Sequence, residues 1–599
     1  MVRPRPRARW RPPLALVMAL GVVPHVLACG VDAPKTQVIL ESPAPPRTGK
    51  ALPRKPTSKY PQVSACPERL EGVERVDRVI KRECDRVIVA PGYRLDAGSF
   101  TVEPGVILAF EPGAELSLGF ADVTRVEISG AAGAPVVLTG TADVPGPGAW
   151  GGIRLYRGAA GAMLRDVILD RVGDPDRGAL WTEADGVVVE RTQIREVAGL
   201  AVYVAGKGSL RTYVGNVIEG HRGPTVMFLP ASSMGAIGED NVFPAGGSIR
   251  LLGDVLRGEY RWPAPGVPVV VAGRIEIAGS AEAPASVTLA SGLELHFDPG
   301  GYINVGYYDP GVLIAEGTAE RPVLFTAHVG EGASAGPGAW RGVNLYKHAS
   351  ASFTHAIFEH GGRYVDRGVL YANSEAEVAL RGCTFRDNRA GVVLARDAIR
   401  LRDFTNNHFE ATPRPLSIDP AVFGDVGDGN DFGGEPILMS EGRVERSATW
   451  RDPGALIEVD GPIAVNGATL SIAAGVKLRV RDGFSLEIGR RSPATLLAEG
   501  EAGRPIEVVG VHDKRGTWDA IILYPGSRGN VLRHLDLVNA GGIAAVDVRA
   551  GASADVQAVS CSRCFSPALT WECGAEVEER GLLLAGGTPS EVLRPTCGA

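Results

Sequence analysis

The 599-residue sequence has no surplus of positive charge: 62 lysines and arginines face 69 aspartates and glutamates, for a formal net charge of −7. Five of the arginines (Arg3, Arg5, Arg7, Arg9, Arg11) open the chain, so the remainder is more acidic still. Polyanionic nucleic acid is therefore excluded as an expected partner. Past residue 28 no apolar run approaches 18 residues, so no later helix is expected to span a membrane and the rest should be soluble. Nor is the composition that of a coiled coil or helical bundle, because 78 glycines and 43 prolines punctuate the backbone. What is present is globular in kind, with 45% hydrophobic and 22% charged residues. The length exceeds one ordinary domain, which leaves several domains or one repetitive structure.

Residues 1–11 carry arginine and no acid, and Pro12–Ala28 is almost wholly apolar, the pattern of an export signal. The rival is a membrane anchor, but Pro12, Pro13 and Pro24 interrupt a stretch already short for spanning. Val26-Leu27-Ala28-Cys29-Gly30 resembles the lipobox of bacterial lipoproteins. The resemblance implies a signal peptide over 1–28, acylation of Cys29 and, with Gly30 rather than aspartate next, an outer-membrane address. Leu27 departs from the commoner small residue and keeps simple cleavage after Ala28 open. Residues 29–65, rich in proline and without apolar period, are expected to be a flexible linker.

The sequence repeats itself. VEPGVILAFEPGAELSL (102–118) and GAWGGIRLY (148–156) return as ASGLELHFDPGGYINV (290–305) and GAWRGVNLY (338–346), then as AAGVKLRVRDGFSLEI (473–488) and GTWDAIILY (516–524). Within the blocks runs a shorter period: Leu169, Ile194, Ile218 and Phe243, like Phe358, Phe385, Phe409 and Phe432, end apolar runs about 24 residues apart. Strands this short close a core only when stacked. These elements resemble the right-handed parallel β-helix, in particular exported bacterial β-helix repeat lipoproteins. The resemblance covers roughly 85–565 and implies an all-β solenoid of roughly 20 coils. A propeller is set aside because its blades repeat at about 40–50 residues. The expected organisation is block 1 with an N-terminal cap over 66–245, block 2 over 246–432, block 3 over 433–565 and a C-terminal cap over 566–599.

Eight cysteines suit an oxidising compartment. With Cys29 assigned to lipid, Cys66 and Cys84 bracket the first coil and are expected to pin its cap. Cys561, Cys564, Cys573 and Cys597 cluster at the other end, where two disulfides are preferred over a zinc site because the last two cysteines are too far apart. Cys383 is expected to be a buried free thiol.

Parallel β-helices include polysaccharide lyases and hydrolases, so their motifs were sought. Polygalacturonase-type Asn-Thr-Asp, Asp-Asp and Arg-x-Lys are absent, and His360-Gly361 alone matches. One constellation stands out: Asp170, Arg195 and Glu219 follow the anchors of block 1, and Glu359, Arg386 and Glu410 those of block 2. Stacked at about 4.8 Å per coil, these make a carboxylate pair for glycoside hydrolysis or a salt-bridged ladder. An arginine between the acids holds both as anions, which is wrong for a general acid, and the ladder is preferred. Asp425, Asp428, Asn430 and Asp431 invite calcium but lack EF-hand spacing, and a turn motif is preferred. No other cofactor and no metal site is expected. Asn216, Asn241, Asn388 and Asn430 read as stacked turn amides, and Trp150, Trp340 and Trp518 as packing residues. Two functions remain: a non-catalytic, lipid-anchored envelope protein binding glycans or other envelope components, and a carbohydrate-active enzyme (lyase or glycoside hydrolase) with a site on one coil face.

Overall fold

The computed structural model describes residues 59–141, 145–330, 335–394, 399–565 and 567–581, and the strand Val592–Leu593. They form an all-β parallel solenoid of about 20 turns with almost no helix. The export segment, Cys29 and most of the linker lie outside the described residues, as does Cys597.

One turn shows the construction. Ile153–Leu155, Met163–Arg165 and Val167–Asp170 occupy three faces, and the next turn lays Leu180–Thr182, Val187–Glu190 and Gln193–Arg195 beside them in parallel. Side chains alternate along each strand, so Ile153, Leu155, Leu164, Val167 and Leu169 point into the core. The anchors stack in the expected register, Leu169 on Ile194 and Ile194 on Ile218. In block 2 the same positions carry a column of phenylalanines. Phe325, Phe358, Phe385, Phe409 and Phe432 lie nearly parallel, with successive centroids 4.6, 5.0, 4.7 and 5.6 Å apart.

The repeated tryptophans are core residues. Trp150, Trp340 and Trp518 are fully buried, and each indole N–H donates to a strand-end carbonyl, of Asp170, Glu359 and Val538 respectively, at 2.7–2.9 Å. Two residues on, Gly152 and Gly342 adopt φ of 107° and 129°, and a Cβ there would strike the carbonyl oxygen of the next turn, at Ala179 and Val369. Packing therefore explains the G-x-W-x-G element.

Buried turns are held by asparagine. Asn216 Oδ1 accepts from Thr192 N, and Asn241 Oδ1 from Asn216 N and Nδ2. Cys383 N, Asn407 and Asn430 repeat the arrangement in block 2, while Asn388 accepts from Gly361 N. Unpaired, each of these buried groups would cost about 1–3 kcal/mol.

One face is interrupted twice. Its first sheet ends at Val217–Glu219, a six-stranded sheet runs from Glu259–Trp262 to Arg400–Thr405, and a third begins at Gly442–Val444. A 3-10 helix, Ala231–Ala236, lies in the first gap and the short α-helix Pro420–Phe423 in the second. The remaining strands join into one 34-stranded sheet, because long strands such as Arg94–Val102 bend across a corner and pair on two faces.

The described ends carry disulfides. Cys66 pairs with Cys84 and Cys561 with Cys564, and Cys573 is also disulfide-bonded. The Cys561–Cys564 bridge removes the C-x-x-C sulfurs from any zinc set. Cys383 is buried and free, and desolvation pushes its thiol up to about 12.

Candidate functional site

Four successive strands on one face of block 2 build a polar floor: Val269–Ile277, Tyr302–Val305, Gly342–Leu345 and Leu370–Ala372. Ile275, Ile277, Ile303, Val305, Val343, Leu345, Leu370 and Ala372 face the core. Alternation therefore turns Glu276, Asn304, Asn344 and Tyr371 outward, each directly over the last. Although outward, Glu276, Asn304 and Asn344 are only 4%, 7% and 8% exposed. Asn344 Nδ2 donates to Asn304 Oδ1 at 3.1 Å, and Asn304 Nδ2 to Glu276 Oε2 at 3.2 Å.

A cleft of about 280 Å³ stands over this floor, lined by Tyr302, Tyr307, Tyr308, Tyr346 and Tyr364 and by Arg274, Arg341 and Arg367. Tyr307 meets Tyr308 and Tyr346 edge-on at 4.4 and 4.6 Å. Tyr307, Tyr308 and Tyr364 are exposed. The Arg341 guanidinium sits 4.8 Å from the Tyr302 ring centroid and 5.8 Å from that of Tyr364, while Arg367 lies over Tyr371 and donates to the Tyr346 hydroxyl at 3.4 Å. Burial pushes the Glu276 carboxyl above its ordinary range, against the opposing pulls of Asn304 and Arg274. Burial also raises Tyr346, and the Glu276 charge adds to that shift.

The residues singled out in the sequence lie elsewhere and do not form one site. Asp170, Arg195 and Glu219 are in register, as are Glu359, Arg386 and Glu410. The first row belongs to the first seven-stranded sheet and the second to the 34-stranded sheet. The rows are equivalent in sequence but occupy different sheets. The expected sharing of each arginine between two acids is also corrected. Arg195 donates to Gln193 Oε1 and, of the two acids, reaches only Glu219, at 3.9 Å, while Asp170 turns to its neighbour Arg171 and to Thr139. Arg386 takes Glu359 at 2.6 Å and leaves Glu410 without an ion pair among the described residues. In block 1 local competitors decide: Arg171 takes Asp170 and Gln193 takes part of the Arg195 guanidinium.

Around Glu359 the second row acquires histidines. His360 Nδ1 is 3.2 Å from Thr326 Oγ1, and His328 Nδ1 is 2.9 Å from Asp298 Oδ1, whose carboxylate also meets Arg250. His296 lies in register with Thr326, and burial lowers its pKa.

The four residues weighed for calcium do not converge. Asp425 pairs with Arg446, Asp431 with His408, and Asn430 is spent on backbone and Asn407. Among the described residues no group of three or more His, Cys, Asp or Glu is arranged to hold a metal. Asp425 and Arg446 also line a recess of about 1030 Å³ at the second sheet gap, where Arg400 and Arg402 are paired with Glu377.

The tyrosine cleft escaped the sequence reading because that reading followed residues shared between blocks. The signal was departure. Where GAWGGIRLY and GTWDAIILY carry Gly151 and Arg154 or Asp519 and Ile522, block 2 carries Arg341 and Asn344. In block 1 the corresponding surface is closed: Arg154 is fully buried against Glu115 and the carbonyls of Gly151 and Gly178.

The sequence matches no protein-family model and no curated protein. Among solved structures, the chain is similar to the PL6 family alginate lyase AlyGC, at 10% identity over 84% of this chain and 99% of that one, with a TM-score of 0.14.

Proposed function

We propose that this protein is a lipid-anchored envelope solenoid that binds glycans at the tyrosine cleft without cleaving them. The observation that carries this reading is the cleft itself, in which five tyrosines gather on one face above a hydrogen-bonded Glu276–Asn304–Asn344 floor. Aromatic faces suit the apolar faces of sugar rings, and arginine and hydroxyl groups at the rim suit their polar edges. The anchor rests on the arginine-rich start, the apolar core and Cys29. A diacylglyceryl group on that sulfur, with its two acyl chains, would give lasting attachment to the outer membrane.

A panel of neutral and acidic polysaccharides tests the cleft by gel retardation, with new reducing and unsaturated ends assayed in parallel. Retardation is expected, with loss in the Tyr307→Ala/Tyr308→Ala variant at unchanged melting temperature and without new ends. No retardation across the panel, or retardation indifferent to both tyrosines, overturns the binding reading. Acyl mass on Cys29, and its loss with membrane partitioning in Cys29→Ser, checks the anchor.

The second reading, a carbohydrate-active enzyme, is favoured by one arrangement. His328 is oriented by Asp298 just past the ends of two adjacent strands, and the next strand over ends at Glu359, followed by His360. New chain ends lost on His328→Gln would establish it.

A further inference from the structure

The tyrosine cleft sets two of its arginines against aromatic rings. On most of the solenoid surface, arginine is laddered to acid across neighbouring turns: Arg165 to Glu190, Arg191 to Asp166, Arg381 to Asp403, Arg533 to Asp555. In the cleft, Arg341 and Arg367 have no carboxylate within ion-pair distance among the described residues. Their neighbours are instead the rings of Tyr302, Tyr364 and Tyr371 and the Tyr346 hydroxyl. Arg341 Nε is shielded from solvent and has no hydrogen-bond partner among the described residues. The one acid on the floor, Glu276, is engaged by Asn304 and lies 3.9 Å from Arg274, and its burial disfavours the charged form. Two cations held over aromatic faces, with an orphaned donor and no counter-ion among the described residues, have the chemistry that suits an oxyanion.

We infer that the ligand of this cleft is an anionic glycan, one whose sugars carry carboxylate or sulfate groups, with Arg341 and Arg367 binding the oxyanion and the tyrosines taking the rings. This inference rests on the glycan-binding reading and names the class of glycan. A neutral sugar would leave both guanidiniums without an acceptor of matching charge. An anion without rings would leave Tyr307 and Tyr308 unused.

Three soluble polymers separate the outcomes by gel retardation and calorimetry: polygalacturonate for carboxylate, dextran sulfate for sulfate and unmodified dextran as the neutral control. One or both anionic polymers are expected to bind, more weakly as salt rises, and dextran not to bind. Arg341→Gln and Arg367→Gln should each weaken that binding by about tenfold or more, with melting temperature unchanged. If either variant fails to fold, Arg274→Gln and the remaining single variant carry the test. Dextran binding as tightly as the anionic polymers, with loss in the Tyr307→Ala/Tyr308→Ala variant, overturns the anion assignment and leaves glycan binding standing. Anionic binding indifferent to both arginines also overturns it. Failure of all three polymers sinks the underlying reading together with this one.

Discussion

Glu276 shows how one residue can carry both stability and site chemistry. Its side chain is buried; among the described residues Oε1 has no partner, and Oε2 accepts from Asn304. Burial raises its pKa in the folded protein, so the folded state holds this proton more tightly than the unfolded chain does. The contribution is therefore intact below the ordinary glutamate range and is lost as pH rises through the raised value. Glu276→Gln keeps an oxygen for Asn304 and removes the charge. Its melting temperature should match wild type below the ordinary glutamate range and exceed it at pH 7. A variant less stable than wild type at pH 7 would contradict this account. Several single residues were legible in the sequence: the Phe358–Phe432 column, the buried tryptophans and the free Cys383 all follow from an apolar residue recurring at one period. Asn407 was not, although it completes the Cys383–Asn430 stack, because nothing in its local sequence distinguishes a buried amide from an exposed one. Glu276 was hidden for the opposite reason, as a charged residue alternating with Ile275 and Ile277 in what reads as an ordinary half-exposed strand.

Between elements, register was legible and side-chain partnership was not. Spacing alone placed Asp170 beside Arg195 and Glu359 beside Arg386, and the strands pair that way. Which carboxylate an arginine takes depends on rotamers and on neighbours such as Arg171, and the period is silent on both. The two rows should accordingly differ. Glu359 is 12% exposed and bonded at 2.6 Å, whereas Glu219 is 63% exposed and 3.9 Å from Arg195. Arg386→Ala strands a poorly solvated carboxylate and should cost about 1–2 kcal/mol, while Arg195→Ala should cost less than about 0.5 kcal/mol. Chemical denaturation of the two variants at low and high salt measures the difference. Equal losses would mean that both pairs behave as solvent-screened surface bridges. The equivalence of blocks was also only partly informative. Repeats in sequence imply repeats in packing, yet the rows at Asp170 and Glu359 fall in different sheets. The interruptions between Glu219 and Glu259 and between Thr405 and Gly442 are insertions in one face, and the strands flanking them look no different from any others in the sequence.

At the scale of the whole solenoid, each turn touches only its neighbours, so stability is a sum of local terms and a defect should stay where it is made. The Cys66–Cys84 bridge tests this. It joins residues 18 apart, one just before the strand Arg69–Leu70 and the other within the 3-10 turn Arg82–Cys84. Among the described residues this end of the stack has a neighbouring turn on one side, and the first strands, Gln62–Val63 and Arg69–Leu70, are only two residues long. A crosslink closing a loop of that size stabilises by about 3 kcal/mol, chiefly by restricting the unfolded segment. In a Cys66→Ser/Cys84→Ser variant, amide exchange should accelerate in Val73–Ile80 and Arg86–Val89, the strands the bridge holds. Exchange in Lys477–Val480 and Ile506–Gly510, many turns away in block 3, should not change. Faster exchange through both regions would mean that the solenoid opens as one cooperative unit. Unchanged exchange at the first strands would mean that packing of Leu70, Ile80 and Val87 holds the end without the bridge. The expected gradient, steep at the N-terminal turns and flat beyond them, is what nearest-neighbour stacking requires.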